Sequence, residues 1–380
     1  MAVDIPPFWL QLAYYNNSDL LDLVPEFRTG KLAIGSIAGP HSTEGSNKKS
    51  FQGARSEGPA IFDPFGEYIE RTEKEDSATR KRDYPFLSNS KGVPTSAADY
   101  QAWMKKCITI QEDSSLAGDG DGPSFIVTPS RVLKPSSNFN GLYRQLNAAE
   151  SVEISHSEKW MGISLSKDFV LDDGFRTALL DQLVDISESG FSGVVLRVFD
   201  QAIPPYKGAR FLAGIREVVG TLNEVDLKVL MAASGFLGWL AMGWGASGFS
   251  AGWARGSWWC RERSPMSNPL TDRNYYFERQ LLCEIPWAEH LRLTKVKGHR
   301  PCTCVHCIAM GKKWDKEHAR KHHVLSGALA ANKLAPQPLE TRTRRVSKAL
   351  DSAIKFRDSI PDPILRELKT GFLDDWQTAI

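Results

Sequence analysis

KVLMAASGFLGWLAMGWGASGFSAGW, residues 228 to 253, decides how this chain folds. From residue 230 to 253 it carries no charge over 24 positions, long enough to cross a bilayer. Six glycines interrupt that run, and Ser234, Ser247 and Ser250 dilute its hydrophobicity. Glycine inside a helix costs about 1 kcal/mol relative to alanine. The segment is therefore read as a buried strand at 228–233, a small helix and a second strand at 248–251, and no membrane span is expected.

The same alternation extends upstream. GVVLRVF (193–199) is a strand preceded by the amphipathic helix FRTALLDQLVDISESG, which Gly190 stops, and ARFLAGIREVVGTLNEV is the helix that follows it. Further strands are read at 9–15, 32–37, 60–62, 124–128 and 161–166. The spacing of Tyr100, Trp103, Met104 and Cys107 predicts a helix over 97–110. Two stretches, about 39–58 and 70–123 outside that helix, are too rich in Gly, Ser and charge for regular structure and are read as long surface loops.

Eight short strands, mostly apolar throughout and mostly separated by helices, describe parallel strands covered on both sides. The expected class is α/β, a (β/α)8 TIM barrel over residues 1–290 with a helical C-terminal region over 291–380. Its active face would lie at the C-terminal strand ends. The first strand has no glycine-rich phosphate motif after it, which argues against a dinucleotide-binding open sheet.

PCTCVHC, residues 301–307, sets Cys302, Cys304 and Cys307 within six positions, close enough for three thiolates to converge on one soft cation. Cys107, Cys260 and Cys283 are scattered, so metal binding in a reducing, cytoplasmic compartment explains the six cysteines better than a disulfide framework. The N-terminus has no basic segment of the kind a signal peptide carries. Four protein ligands would make a closed, structural zinc site. His322 is the fourth ligand chosen by reach, with His318 and His323 as alternatives.

Charge is distributed unevenly. The chain has 380 residues and a net charge of +2, yet residues 292–348 hold fourteen Lys and Arg against three acids. A local excess of this size suggests a polyanionic partner. Lys312, Lys313, Lys316, Arg320 and Lys321 surround Trp314, and Arg342, Arg344 and Arg345 follow; such groups contact phosphates while an aromatic stacks on a base. Trp258 and Trp259, beside Arg255 and Arg261, would suit an extruded base.

The 228–253 segment, joined to CTCVHC about fifty residues later, resembles the tRNA-guanine transglycosylase superfamily, which includes enzymes that insert 7-deazaguanines into DNA. AIFDPFGEYI (60–69) is similar to the family's strand ending in Asp-Ser-Gly-Gly-Phe-Gln. WMGISLS, a helix and GFSGVVLRVF are similar to its Gly-Ile-Val-Gln-Gly-Gly strand, helix and Gly-Gly-Leu strand. The resemblance implies a zinc-containing (β/α)8 pentosyltransferase that exchanges a guanine-type base through a covalent sugar intermediate. Such chemistry needs a carboxylate nucleophile and a second acid/base group. Asp63 falls on the acid/base aspartate.

The chain also departs from the pattern. Ser250 stands at the nucleophile, Leu165 replaces the glutamine, and Arg197, Val198 and Phe199 replace Gly-Gly-Leu, so that Arg197 joins the residues expected to face nucleic acid. Asp200, just past a strand end, is a candidate substitute carboxylate. The family's zinc histidine lies farther downstream, where Asn332 and Lys333 stand. Two functions follow as expectations: base exchange or excision on tRNA or DNA, or a catalytically inactive barrel that binds nucleic acid or scaffolds a protein partner, as a homodimer or beside an active subunit.

Overall fold

A computed structural model describes residues 5–12, 23–39, 45–64, 94, 96–113, 123–135, 140–154, 158–200, 206–252 and 274–380. Three strands come first, β1 (Phe8–Gln11), β2 (Ile34–Ala38) and β3 (Ala60–Phe62). A split position follows, β4 (Ile126–Val127) with β5 (Val132–Leu133), then β6 (Lys159–Ser166), β7 (Gly193–Phe199), β8 (Lys228–Met231) and β9 (Gly248–Gly252). Strands adjacent in sequence are adjacent in space, every ladder among them is parallel, and β9 returns to pair with β1, setting Ser250 opposite Trp9.

The ring is nearly closed. At the seam between β3 and β4, the Ser124 amide donates to the Ala60 carbonyl (2.8 Å) and its hydroxyl accepts from the Ala60 amide (3.2 Å). Gln111 supports the two-residue β4 by accepting from the Val127 amide and donating to its carbonyl. These side chains satisfy backbone groups that a short strand cannot pair through a ladder. The expected (β/α)8 architecture is present, with the eight strand positions where the sequence placed them.

Around the ring lie α1 (Leu23–Thr29), α2 (Gly45–Glu57), α3 (Ala97–Glu112), α4 (Asn140–Ser151), α5 (Lys167–Leu171), α6 (Asp173–Glu188), α7 (Ala209–Glu224) and α8 (Phe236–Met242). The stretch 39–58, expected as a surface loop, instead contains α2. Phe51 and Ala54 share one face of that helix and are buried, Phe51 meeting Phe62 edge-on with ring centres 6.2 Å apart. Burial of this face outweighs the weak helix propensity of Gly, Ser and Asn. The charged segment 70–93 lies outside the described residues.

Inside the barrel, one side chain in two points to the axis. The axial layer near the N-terminal strand ends is apolar: Trp9, Ile37, Ile61, Phe125, Val127, Trp160, Val195 and Leu230. Phe125 stacks on Trp160 at 4.4 Å and meets Trp9 edge-on at 5.7 Å. The indoles fit only because small residues face them. A Cβ on Gly35 would sit 2.5 Å from the Trp9 ring, and one on Gly193 would sit 2.9 Å from Trp160.

An antiparallel hairpin, β10 (Tyr275–Glu278) and β11 (Cys283–Pro286), leads into α9 (Trp287–Leu293), α10 (Val305–Met310), α11 (Lys316–Leu334), α12 (Leu339–Asp358), α13 (Asp362–Leu365) and α14 (Phe372–Ala379). Helix α11 packs against the barrel through Val324, Ala328 and Ala331, and Gly327 admits the Phe8 ring, which an ideal Cβ would approach to 2.7 Å. Asn332 grips both the amide and the carbonyl of Ala33, at 2.9 and 3.1 Å. The far end is fastened by the Trp376 indole, which donates to the Tyr206 carbonyl, and by Asp375, which accepts from the Gly208 amide.

Among the described residues no helix is long and apolar enough to cross a membrane. The uncharged 228–253 run divides between β8, α8 and β9, as its glycines require.

Since Gly35 has no room for a side chain, Gly35→Val should destabilise the barrel by about 1–3 kcal/mol through overpacking against Trp9. Urea titration followed by tryptophan fluorescence would show a lower midpoint. An unchanged midpoint would mean that the indole is not held against this backbone.

Candidate metal centre and barrel mouth

Cys302 and Cys304 precede α10, Cys304 sits at its N-cap, and Cys307 lies in its first turn. His322 comes from the middle of α11 and is fully buried. Its Nδ1 lies 3.7 Å from the Cys302 sulfur, 3.4 Å from that of Cys304 and 3.3 Å from that of Cys307. All four donor atoms fall within 4.8 Å of one another. Donors about 2.3 Å (sulfur) and 2.0–2.1 Å (nitrogen) from a common tetrahedral centre would be separated by about 3.6 Å, so the group can hold a metal ion.

His318 and His323, the alternatives for the fourth ligand, are turned elsewhere. The His318 ring lies beside His306 at 5.8 Å, and His323 meets the edge of Phe277 at 4.8 Å. On a helix, residue 323 is rotated by about 100° from residue 322, and 318 is displaced by about one turn along the axis.

The electrostatics favour a cation at the centre. Hydrogen bonds from Cys304 and Cys307 hold the Cys302 thiol far below its usual range, whereas those with Cys302 and Cys304 push Cys307 well above it. Burial works against charge on His322. The sulfurs of Cys302 and Cys304, with the Phe277 carbonyl, outweigh it and raise the ring to about 9. Negative charge on sulfur thus draws positive charge onto nitrogen, the task a bound cation would take over.

Strand β10 supplies surroundings that the sequence did not reveal. The Phe277 carbonyl accepts from His322 Nε2 at 2.9 Å, fixing the tautomer that leaves Nδ1 toward the sulfurs. Tyr276 stacks on the His322 ring, 4.7 Å away and within 4° of parallel, and its hydroxyl lies 3.3 Å from the Cys307 sulfur. Arg279 Nη1 approaches the Cys302 sulfur at 3.6 Å. Only the hairpin fold brings residues 276–279 to a cysteine motif 25 positions later.

At the C-terminal ends of the strands the axial residues change from apolar to polar. Gln11, Asp63, Ser164, Arg197 and Ser250 are all buried there. Arg197 Nη2 donates to Asp63 Oδ2, and both side chains are 1% exposed. Ser250 accepts from the Ala233 amide (2.6 Å) and donates to Gln11 Oε1 (3.2 Å). Ala233 holds a left-handed φ of 47°, which costs a non-glycine residue about 1–2 kcal/mol. Asp200, just past β7, accepts from Lys167 at 3.0 Å, the lysine being 30% exposed. Leu165 and Val198 face the helix layer instead of the axis.

The mouth therefore collects Asp63, Arg197 and Ser250. Ser250 has a carboxamide as its acceptor, which cannot serve as a base. Arg197, expected to face nucleic acid, is enclosed within the barrel.

The basic region divides in the same way. Lys312, Lys313, Arg344 and Arg345 are exposed, while Arg320 and Lys321 are half-buried, Lys321 pairing with Glu317. Arg342, expected on a phosphate-binding face, donates to the carbonyls of Gln337, Ala246 and Ala335 and clasps α12 to the barrel. Trp314, expected to stack on a base, donates to the Tyr275 carbonyl and packs with Tyr276 and Trp287. Arg255, Trp258 and Trp259 lie outside the described residues.

Compared with known proteins, the chain matches no family model and no curated protein.

His322→Ala should weaken metal binding at least tenfold, judging from the 10–100-fold cost of disturbing even the groups that orient a ligand, while His318→Ala should leave it unchanged. Metal content of the two variants, measured side by side, checks the assignment; equal loss in both would contradict it. Asp63→Ala should cost about 3–5 kcal/mol of stability, because it leaves the Arg197 guanidinium buried without its carboxylate. Denaturant titration of that variant against Asp63→Asn measures the effect.

Proposed function

We propose that this chain is a transglycosylase-type barrel that binds tRNA or DNA through its C-terminal region, with a structural zinc ion in the Cys302, Cys304, Cys307 and His322 group, and without base exchange by the family's usual route. Three thiols and one imidazole suit zinc, and reduced thiols suit the cytoplasm. The observation that carries nucleic-acid binding is a set of exposed cations. Lys295, Lys297, Arg300, Lys312, Lys313 and Arg344 face solvent, and among the described residues no carboxylate pairs with them. Such a surface neutralises phosphates and releases counterions.

The silence of the barrel rests on Arg197. Its guanidinium occupies axial space at the strand ends and holds Asp63, so a purine entering the mouth would have to break a buried ion pair. Separating such partners leaves uncompensated charge and costs about 3–5 kcal/mol. The protein then acts as a binding or scaffolding subunit, as a homodimer or beside an active partner.

A second reading is favoured by Asp200. It is an ionisable group at a strand end with a half-exposed lysine 3.0 Å away, a placement where barrel enzymes keep catalytic groups. Under that reading Asp200 and Asp63 would manage the sugar and the departing base.

Fluorescence anisotropy with labelled tRNA and duplex DNA, repeated across salt concentrations, tests the first reading. Affinity should fall steeply with salt, and Lys312→Glu with Lys313→Glu should weaken binding to both nucleic acids and lower the salt slope by about one per lost phosphate contact. Salt-independent binding, or none, would contradict it. Incorporation of labelled guanine by the wild type, abolished in Asp200→Asn, would replace it with the second reading.

A further inference from the structure

Beside the sulfur cluster, three more donor groups converge that neither the barrel mouth nor the proposed nucleic-acid surface uses. Glu278 ends β10, His290 lies in α9, and His299 belongs to the segment just before Cys302. Their donor atoms lie within 4.8 Å of one another. His290 Nδ1 is 3.0 Å and His299 Nε2 is 3.3 Å from the same carboxylate oxygen, Glu278 Oε2. The other oxygen, Oε1, accepts from the Gln280 amide at 3.2 Å. The three side chains are between 2% and 10% exposed.

We infer that Glu278, His290 and His299 form a second cation site, taking a borderline divalent ion such as zinc through Oε2, Nδ1 and Nε2. Several features point the same way. Two imidazoles and one carboxylate are the donor set of three-ligand zinc sites, with the fourth position left for water. Donors 2.0–2.2 Å from a common ion are about 3.0–3.4 Å apart at angles between 90° and 110°, which the two nitrogen–oxygen separations match. Neutralising one carboxylate needs only one imidazolium, yet two imidazoles are aimed at a single oxygen; a divalent cation engages all three donors at once.

Glu278 is placed as a ligand would be, its carboxylate shared by two imidazoles in a place nearly closed to water. The arrangement would tie three separate pieces, the end of β10, α9 and the approach to Cys302, into one unit. It shares a strand with the first site, since Tyr276 and Phe277 contact His322 while Glu278 contacts the second pair. Tyr276 lies between them, one neighbour being the His290 ring at 4.0 Å.

The test counts metal in the intact wild-type chain. Protein equilibrated with excess zinc and desalted should retain two equivalents per chain. An organomercurial that caps thiolates should release one and leave the other. Glu278→Gln and His290→Gln should each lower the affinity of the mercurial-resistant equivalent at least tenfold while leaving the thiol-linked one in place. Cobalt provides an independent readout: the thiolate site gives sulfur-to-metal charge-transfer absorption, and a second equivalent bound by nitrogen and oxygen adds only weak ligand-field bands. A single equivalent in the wild type, fully released by the mercurial, would overturn the inference and leave the triad as a hydrogen-bonded ion pair.

Discussion

His322 reaches the three sulfurs from the middle of a helix whose next turns are wedged against the barrel. One side of α11 carries the imidazole, and Val324, Gly327, Ala328 and Ala331, from about half a turn to about two and a half turns on, face the barrel, where the helix meets β1 and β9. Gly327 fixes the approach, since the Phe8 ring occupies the place of its missing side chain. A rigid helix cannot move its ligand without moving its packing face. The free energy of binding a structural metal, about 10–16 kcal/mol in small zinc peptides, is comparable with the 5–15 kcal/mol net stability of a whole domain. Whatever fills the sulfur cluster therefore bears on how firmly the C-terminal region is seated on the barrel.

The barrel itself divides along its axis. Near the N-terminal strand ends two indoles and a phenylalanine fill the interior, and they do so because Gly35 and Gly193 leave room. Toward the other end Gln11, Ser164, Arg197 and Ser250 bring buried polar groups onto the axis. Polar groups so deeply buried must satisfy one another, and they do: guanidinium with carboxylate, serine with carboxamide, serine with serine at 2.6 Å. Closure of this kind gives a stable plug.

Much of this was legible in the amino-acid sequence, for identifiable reasons. The eight strands are short apolar runs bounded by glycine, proline or charge, and buried parallel strands have that pattern however they close. The cysteines are local in sequence, so their convergence follows from spacing alone. The missed elements depend on partners distant in sequence. Helix α2 is a poor helix former that is held by burying Phe51 and Ala54. Residues 276–279 gain meaning only when the hairpin folds over α11, and Glu278, His290 and His299 are separated by spacings that match no compact motif. For Trp314 and Arg342 the sequence showed only charge and aromaticity. Their backbone carbonyl acceptors, which keep both half-buried, belong to Tyr275 and to residues up to 96 positions away.

If α11 transmits the metal site to the barrel, hydrogen exchange by mass spectrometry on zinc-loaded protein, with and without a chelator, will show it most directly. The account predicts that chelation deprotects α10 and the whole of α11, with a smaller loss spreading into β1 and β9. Deprotection confined to residues 302–310, or none at all, would contradict it.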